Sequence, residues 1–385
     1  MKADIVPLVV GAIVFLSSLV SLKLGISVAI IEILFGAVAG HLGFKAEDWM
    51  IYIANFGGIF LTFLAGTEID TALMREKFKE TFLLGTLSFL VPFVVVFLYT
   101  YHVAGWSYKA ALIAGTALST TSLAVVYSVL VETGLAGSGI GKFLMAATFV
   151  TDIGTALALS VLFVKPTLYT LIFISVSLNV LYFADKVSHV IFSHKMLKGK
   201  VIEPEIKYVF FLLLILMYFA ALGQGHAVLP AFVLGLFMAK HFHKEAQSQV
   251  VRNRLKTVAY AFVTPIFFIV GGMRVSAPLI LASFGLFAIL FGLKIASKFA
   301  GVYFLAKKYV PARSMYSTLL MSTGLTFGTI SSVFGLNMGY INISQYSLLV
   351  GVVIASAVLP TFIAQKWFRP VHSEDIIETN GQGNA

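Results

Sequence analysis

Apolar stretches of span length follow one another along nearly the whole chain, and each is long enough to cross a bilayer as a helix. Few architectures are compatible with that pattern. In hydrocarbon every backbone polar group needs a partner within its own segment or within a closed barrel, and continuous apolar runs of this length read as helices. About thirteen can be drawn at bilayer length, near 5–22, 26–40, 50–66, 81–101, 108–131, 138–164, 167–185, 207–223, 227–241, 257–273, 278–308, 313–336 and 345–368. Composition agrees, since 59% of the 385 residues are hydrophobic and 11% charged, with a mean hydropathy of +0.95. A soluble chain with that ratio lacks the polar residues to cover its own surface. The expected fold class is an all-α polytopic membrane protein. The second and ninth stretches are short, and 278–308 is long enough to be tilted or to hide a break. We read 1–385 as one membrane domain: a first half over 1–185, a cytoplasmic linker over 186–206, a second half over 207–368 and a short tail over 369–385.

The formal charge of +10 raises the question of a nucleic-acid partner, and the placement of the charges excludes it. Most of the 27 basic residues fall in the odd-numbered loops and the tail, densest over 186–207 and 240–256. The N-terminus and the even loops hold only Lys2, Lys45, Lys109, Lys165 and Arg274. The odd loops are therefore expected in the cytoplasm, the N-terminus outside and the C-terminus inside, as an odd number of spans requires. The basic excess is topological, and it can also meet anionic lipid at the inner surface. The chain has no cysteine, which excludes disulfide and thiol chemistry. The first stretch, without a small-residue cleavage site after it, reads as an anchor.

Against this background Asp152 stands out. It lies near the centre of the sixth stretch, in FVTDIGTALALS, beside Thr151 and one helical turn after Thr148. A carboxylate at that depth costs several kcal/mol, roughly 3 on insertion scales, so it is expected to face protein or water and to have a role. The fifth stretch carries four consecutive hydroxyls at mid-depth, Ser119, Thr120, Thr121 and Ser122, after Gly115. Isolated hydroxyls usually bond back to the preceding turn. Four together suggest that the helix breaks there, with hydroxyls and freed carbonyls lining a polar cavity. The twelfth stretch, MSTGLTFGTISS, repeats the signal around Gly324 and Gly328. Two interrupted helices, seven stretches apart, point to inverted repeats with two crossed broken helices and a site at the crossing.

Other charged residues at depth divide into functional and structural readings. Lys294 and Lys298 lie one turn apart in the eleventh stretch; Lys294 can snorkel to the surface, whereas Lys298 is expected to face the interior as a charge-compensating or titrating amine. Glu32 and Glu68 are possible supports of the site, although Glu32 can snorkel and Glu68 lies near a helix end. Asp70 is better explained by pairing with Arg75 or Lys77. The histidines 189, 194, 241 and 243 have no metal-like spacing and read as solvated loop residues.

Carboxylate, hydroxyl and carbonyl oxygens are hard ligands suited to a small alkali cation. One carboxylate at such a crossing can hold a proton or a cation but not both. Combined with rocking of one bundle against the other, that competition gives exchange of H⁺ for a monovalent cation, with Asp152 as the Na⁺ ligand.

The motifs FLTFLAGTEID, LSTTSLAVVYSVL, FVTDIGTALALS, LPAFVLGLFMAKH, PIFFIVGGMRVS and KFAGVYFLAKK resemble, in order and spacing, the monovalent cation–proton antiporter superfamily, in the branch of bacterial and archaeal sodium–proton antiporters and potassium efflux transporters. FVTDIG is the specific element. The resemblance implies the sodium–proton antiporter fold, a homodimer with a core and a scaffold domain in each protomer, no cofactor beyond the transported Na⁺ and H⁺, and no enzymatic activity. It implies Asp152 as the cation- and proton-binding residue, Thr121 at the break and Lys298 as the basic residue. The chain also departs from the family pattern. Thr151 stands where many members carry Asp or Asn, Ser122 where some carry an acid, and MSTGLTFG lacks the Arg and Glu of many relatives. A single central carboxylate favours 1:1 exchange, whereas a titrating Lys298 would add a second proton and make exchange electrogenic; the short tail favours a Na⁺ (or Li⁺) exchanger over a glutathione-gated potassium system.

Competing classes fit less well. An intramembrane aspartyl protease needs two facing carboxylates, and a channel needs a filter or a pore-lining ring. A sodium-coupled organic-anion symporter shares the crossed architecture but needs an organic substrate before ions move. A K⁺/H⁺ antiporter of the same fold is the nearest alternative.

Overall fold

The structure, a computed structural model, describes residues 5–24, 27–67, 78–133, 135, 138–163, 167–193, 203–222, 227–244 and 246–368. Among them the regular structure is entirely helical. In chain order the helices are α1 (Val6–Leu24), α2 (Val28–His41), α3 (Asp48–Thr67), α4 (Phe78–His102), α5 (Tyr108–Ser119), α6 (Leu123–Glu132), α7 (Gly139–Val161), α8 (Leu168–Ser193) and α9 (Pro204–Leu222). There follow α10 (Val228–Lys244), α11 (Ala246–Val258), α12 (Thr264–Met273), α13 (Ala277–Ala282), α14 (Phe284–Tyr309), α15 (Ser314–Met321), α16 (Thr326–Asn337) and α17 (Ile343–Trp367). Nine helical spans among the described residues are long and apolar enough to cross a membrane; Val28–His41, Leu168–Ala184 and Val228–Ala239 are shorter apolar helices. The broken pair α5–α6 fills the fifth apolar stretch.

Two boundaries differ from the reading of apolar stretches, and a break offered for a third stretch is found. Helix α8 continues through 186–193 into the expected linker, because polar residues without Gly or Pro do not end a helix. In the tenth stretch the helix, α11, begins at Ala246, eleven residues before the apolar run at 257, and passes through a π turn at Ala259–Val263 into α12. The long eleventh stretch does contain a break, at Ser283 between α13 and α14, where φ is −116° and ψ 32°.

The helix pairings repeat with a displacement of seven stretches. Helix α10 packs on α3 and α12 on α2; α4 packs on α5 and α14 on α15; α4 meets α7 as α14 meets α17. Glycines set the closest approaches. A Cβ on Gly66 would fall on the Phe232 carbonyl oxygen, and one on Gly235 on the Phe63 carbonyl oxygen, so α3 and α10 touch backbone to backbone. Gly36, Gly40 and Gly272 do the same for α2 and α12. Lipid supplies no hydrophobic drive between helices, so small residues that admit such contact are what hold these pairs.

Candidate functional site

The fifth and twelfth stretches both break at mid-length. Helix α5 stops at Ser119, whose hydroxyl turns back to the Thr116 carbonyl (3.0 Å). Thr120 is extended, with φ −67° and ψ 154°, and α6 starts at Leu123. Ser122 tethers the first turn of α6, accepting from Val125 N at 3.4 Å. In the twelfth stretch α15 ends at Met321 and α16 begins at Thr326. The two breaks are bonded to each other: Ser122 N donates to Thr323 O at 3.1 Å, and the Thr121 hydroxyl donates to Met321 O at 2.8 Å. Carbonyls and amides freed by each interruption are thus partly satisfied by the other. The two candidate glycines have different tasks: Gly324 lies in the break, whereas Gly328 is helical and admits the Ala117 carbonyl, which would lie 2.9 Å from a Cβ there.

Lys294 and Lys298 of α14 reach this crossing, and both are fully buried. Lys298 Nζ donates to Thr121 Oγ1 (2.8 Å) and to Ser88 Oγ of α4 (2.9 Å). Lys294 does not snorkel. Its ammonium donates to Leu118 O (2.9 Å) and Thr120 O (3.4 Å), at the carbonyl end of α5. The snorkelling expectation fails because the broken helix offers a buried carbonyl pair within the side chain's reach.

Asp152, on α7, is 1% exposed, and among the described residues its Oδ1 has no hydrogen-bond partner. Lys298 interacts with it electrostatically while its hydrogen bonds go to hydroxyls. Thr151 joins α7 to the break, accepting from Thr121 N at 3.3 Å and donating to Thr148 O at 2.7 Å. Thr148 donates to Leu144 O (2.9 Å) and approaches Met321 Sδ (3.5 Å). Thr148, Thr151, Thr121, Ser122 and Lys298 therefore belong to one buried polar group, and Asp152 follows Thr151 directly in α7. A buried carboxylate oxygen without a partner is costly, which suits an atom that receives a proton or a cation.

Glu32 is elsewhere. It is 2% exposed on α2, whose main partners are α12 and α1, and no hydrogen bond among the described residues joins it to the crossing. Glu68, with Asp70, Arg75 and Lys77, lies outside the described residues. Sequence reasoning missed Ser88, a lone serine 210 positions from the lysine it binds, and the Met321 and Thr323 carbonyls, which carry no side-chain signal.

A family model described as "Sodium/hydrogen exchanger, transmembrane" matches residues 10–368. The probable Na⁺/H⁺ antiporter 3 of Methanocaldococcus jannaschii is 27% identical over 251 residues, 62% of this chain and 63% of that protein. The Na⁺/H⁺ antiporter of Enterococcus hirae is 25% identical over 386 residues, 93% of this chain and 96% of its own. The chloroplastic K⁺ efflux antiporter 2 of Arabidopsis thaliana is 27% identical over 334 residues, 81% of this chain but 28% of that protein. The chain thus spans less than two thirds of several curated relatives. Among solved structures, the sodium proton antiporter MjNhaP1 of Methanocaldococcus jannaschii at pH 8 aligns with a TM-score of 0.70 at 15% identity, over 92% of this chain and 98% of that one. That likeness speaks for the fold, and the match across nearly the whole sequence for the lineage. The chain is a multi-pass, all-helical membrane protein, and it belongs to the transmembrane sodium/hydrogen exchanger family of the monovalent cation–proton antiporter superfamily.

Proposed function

We propose that this protein is a secondary antiporter that exchanges Na⁺, or Li⁺, for H⁺ across the cytoplasmic membrane by alternating access. The observation that carries the reading is the Asp152 carboxylate, buried beside two crossed helix breaks with Oδ1 unpartnered and with Lys298 bonded to hydroxyls. The carboxylate takes a proton or a cation in turn. Hydroxyls of Thr121, Ser122, Thr148 and Thr151 stand in the same polar group as further hard oxygens. Lys298 balances the charge that Asp152 carries between loads. Helices α4–α7 and α14–α17, which hold the crossing, rock against the layer of α2, α3, α10 and α12. One carboxylate gives one proton per cation. The chain crosses the membrane thirteen times with its N-terminus outside, and it works as a homodimer; the charge asymmetry and the family resemblance support those statements.

Purified protein in liposomes with an acidic interior and a pH-sensitive dye tests the reading. External Na⁺ or Li⁺ is expected to dequench the dye with native protein and not with Asp152→Asn. Exchange retained in Asp152→Asn would remove Asp152 from the mechanism. A second reading, K⁺/H⁺ exchange, is favoured by the potassium antiporters among the relatives; a response to K⁺ alone would establish it. No response until an organic anion is added would turn the reading to a sodium-coupled symporter.

A further inference from the structure

Lys294 is a buried cation with no part in the exchange cycle above. A helix leaves its last carbonyls without intrahelical partners and carries about half a negative charge at that end. For α5 three of these groups can be followed. Thr116 O accepts from Ser119 Oγ, Leu118 O and, just past the helix end, Thr120 O accept from Lys294 Nζ, and Ala117 O lies over Gly328. The second break lies against the same ammonium. A Cβ on Gly324 would stand 2.7 Å from Lys294 Nζ and 3.3 Å from Thr120 O. Gly324 does not have a positive φ, so its missing side chain answers a steric demand and not a backbone one. Lys298, one turn away, has rotatable hydroxyls where Lys294 has fixed main-chain carbonyls.

We propose that Lys294 is a positioning residue that locks the two broken helices together, bonding the carbonyl end of α5 and closing against Gly324 of the second break, and that it thereby leaves Lys298 as the exchangeable basic partner of Asp152. The second clause rests on the antiport reading; the first does not.

Hydrogen exchange followed by mass spectrometry on the purified full chain tests the lock without transport. With the carbonyl anchors lost, amides over 121–126 should exchange about tenfold faster in Lys294→Met and in Gly324→Ala. The double variant should be no faster than Lys294→Met alone, since both act through one contact. Lys298→Met should leave these amides within about twofold of native. Unchanged exchange in Gly324→Ala, additive effects in the double variant, or an equal effect of Lys298→Met would overturn the proposal. Should Lys294→Met fail to fold, the comparison of Gly324→Ala with Lys298→Met decides alone. In liposomes both lock variants should raise the apparent KM for Na⁺ about tenfold while the maximal rate stays within about threefold, because they displace ligands and leave the carrier intact. A fall in maximal rate with KM unchanged would contradict that role. A native protein that moved no cation would sink the antiport reading and leave the exchange result to judge the lock.

Discussion

Thr121→Val removes the one hydroxyl through which the two breaks and the second lysine meet. Valine keeps the volume and branching of threonine but can neither donate to Met321 O nor accept from Lys298 Nζ, both now at 2.8 Å. In water-soluble proteins such bonds contribute about 0.5–1.5 kcal/mol when neutral and about 1.5–3 when one partner is charged. Double-mutant cycles between membrane helices average about 0.6 kcal/mol, because the unfolded chain in lipid also finds partners. Weighing the charged partner and complete burial against that lower figure gives a combined loss of about 2 kcal/mol. Expressed wholly in binding, that is about a 30-fold rise in apparent KM for the cation. The liposome assay with graded Na⁺ measures it directly. Thr121→Ser retains both bonds and should stay within about threefold of native. A Val variant within threefold of native at unchanged melting temperature, or a Ser variant as impaired as Val, would refute the linkage.

Other parts of the structure give separate tests. Gly272→Ala forces a Cβ onto the Ile33 carbonyl and should cost about 1–3 kcal/mol, seen as a lower melting temperature in detergent, whereas Gly285→Ala, with open space around it, should be neutral or slightly stabilising. Ser138 caps α7, accepting from Gly141 N at 3.2 Å, and Ser138→Ala should cost about 1 kcal/mol by the same measurement. The chain has no native cysteine, so single cysteines at exposed sites report orientation without background. Lys45→Cys should react with an impermeant maleimide from outside intact cells, and Lys307→Cys only after permeabilisation; the reverse pattern would invert the topology.

Much of the crossing was legible in the sequence because its signals are local. Four adjacent hydroxyls mark the break that occurs at 120–122, Gly324 marks its counterpart, and a lone aspartate in an apolar helix marks the neighbouring carboxylate. What was not legible depends on which side chain meets which helix. Lys294 and Lys298 lie one turn apart on one helix face, and only the reach of the α5 carbonyl end separates the one held by backbone from the one held by hydroxyls. Ser88 is a single serine among apolar residues in α4, indistinguishable by pattern from a serine bonded to its own turn. Helix α11 was missed for a different reason: 246–256 is polar and basic, so an apolar-run criterion starts the helix where the lipid-facing composition begins, not where helical geometry does.

The claim that one carboxylate alternates between proton and cation is tested most directly by calorimetric titration of the detergent-purified protein with Na⁺ and Li⁺ in buffers of different ionisation enthalpy. Competition at Asp152 predicts release of about one proton per cation bound, at a pH where the carboxyl is protonated, with both binding and release lost in Asp152→Asn. Cation binding without proton release, or release that survives the substitution, would contradict the account.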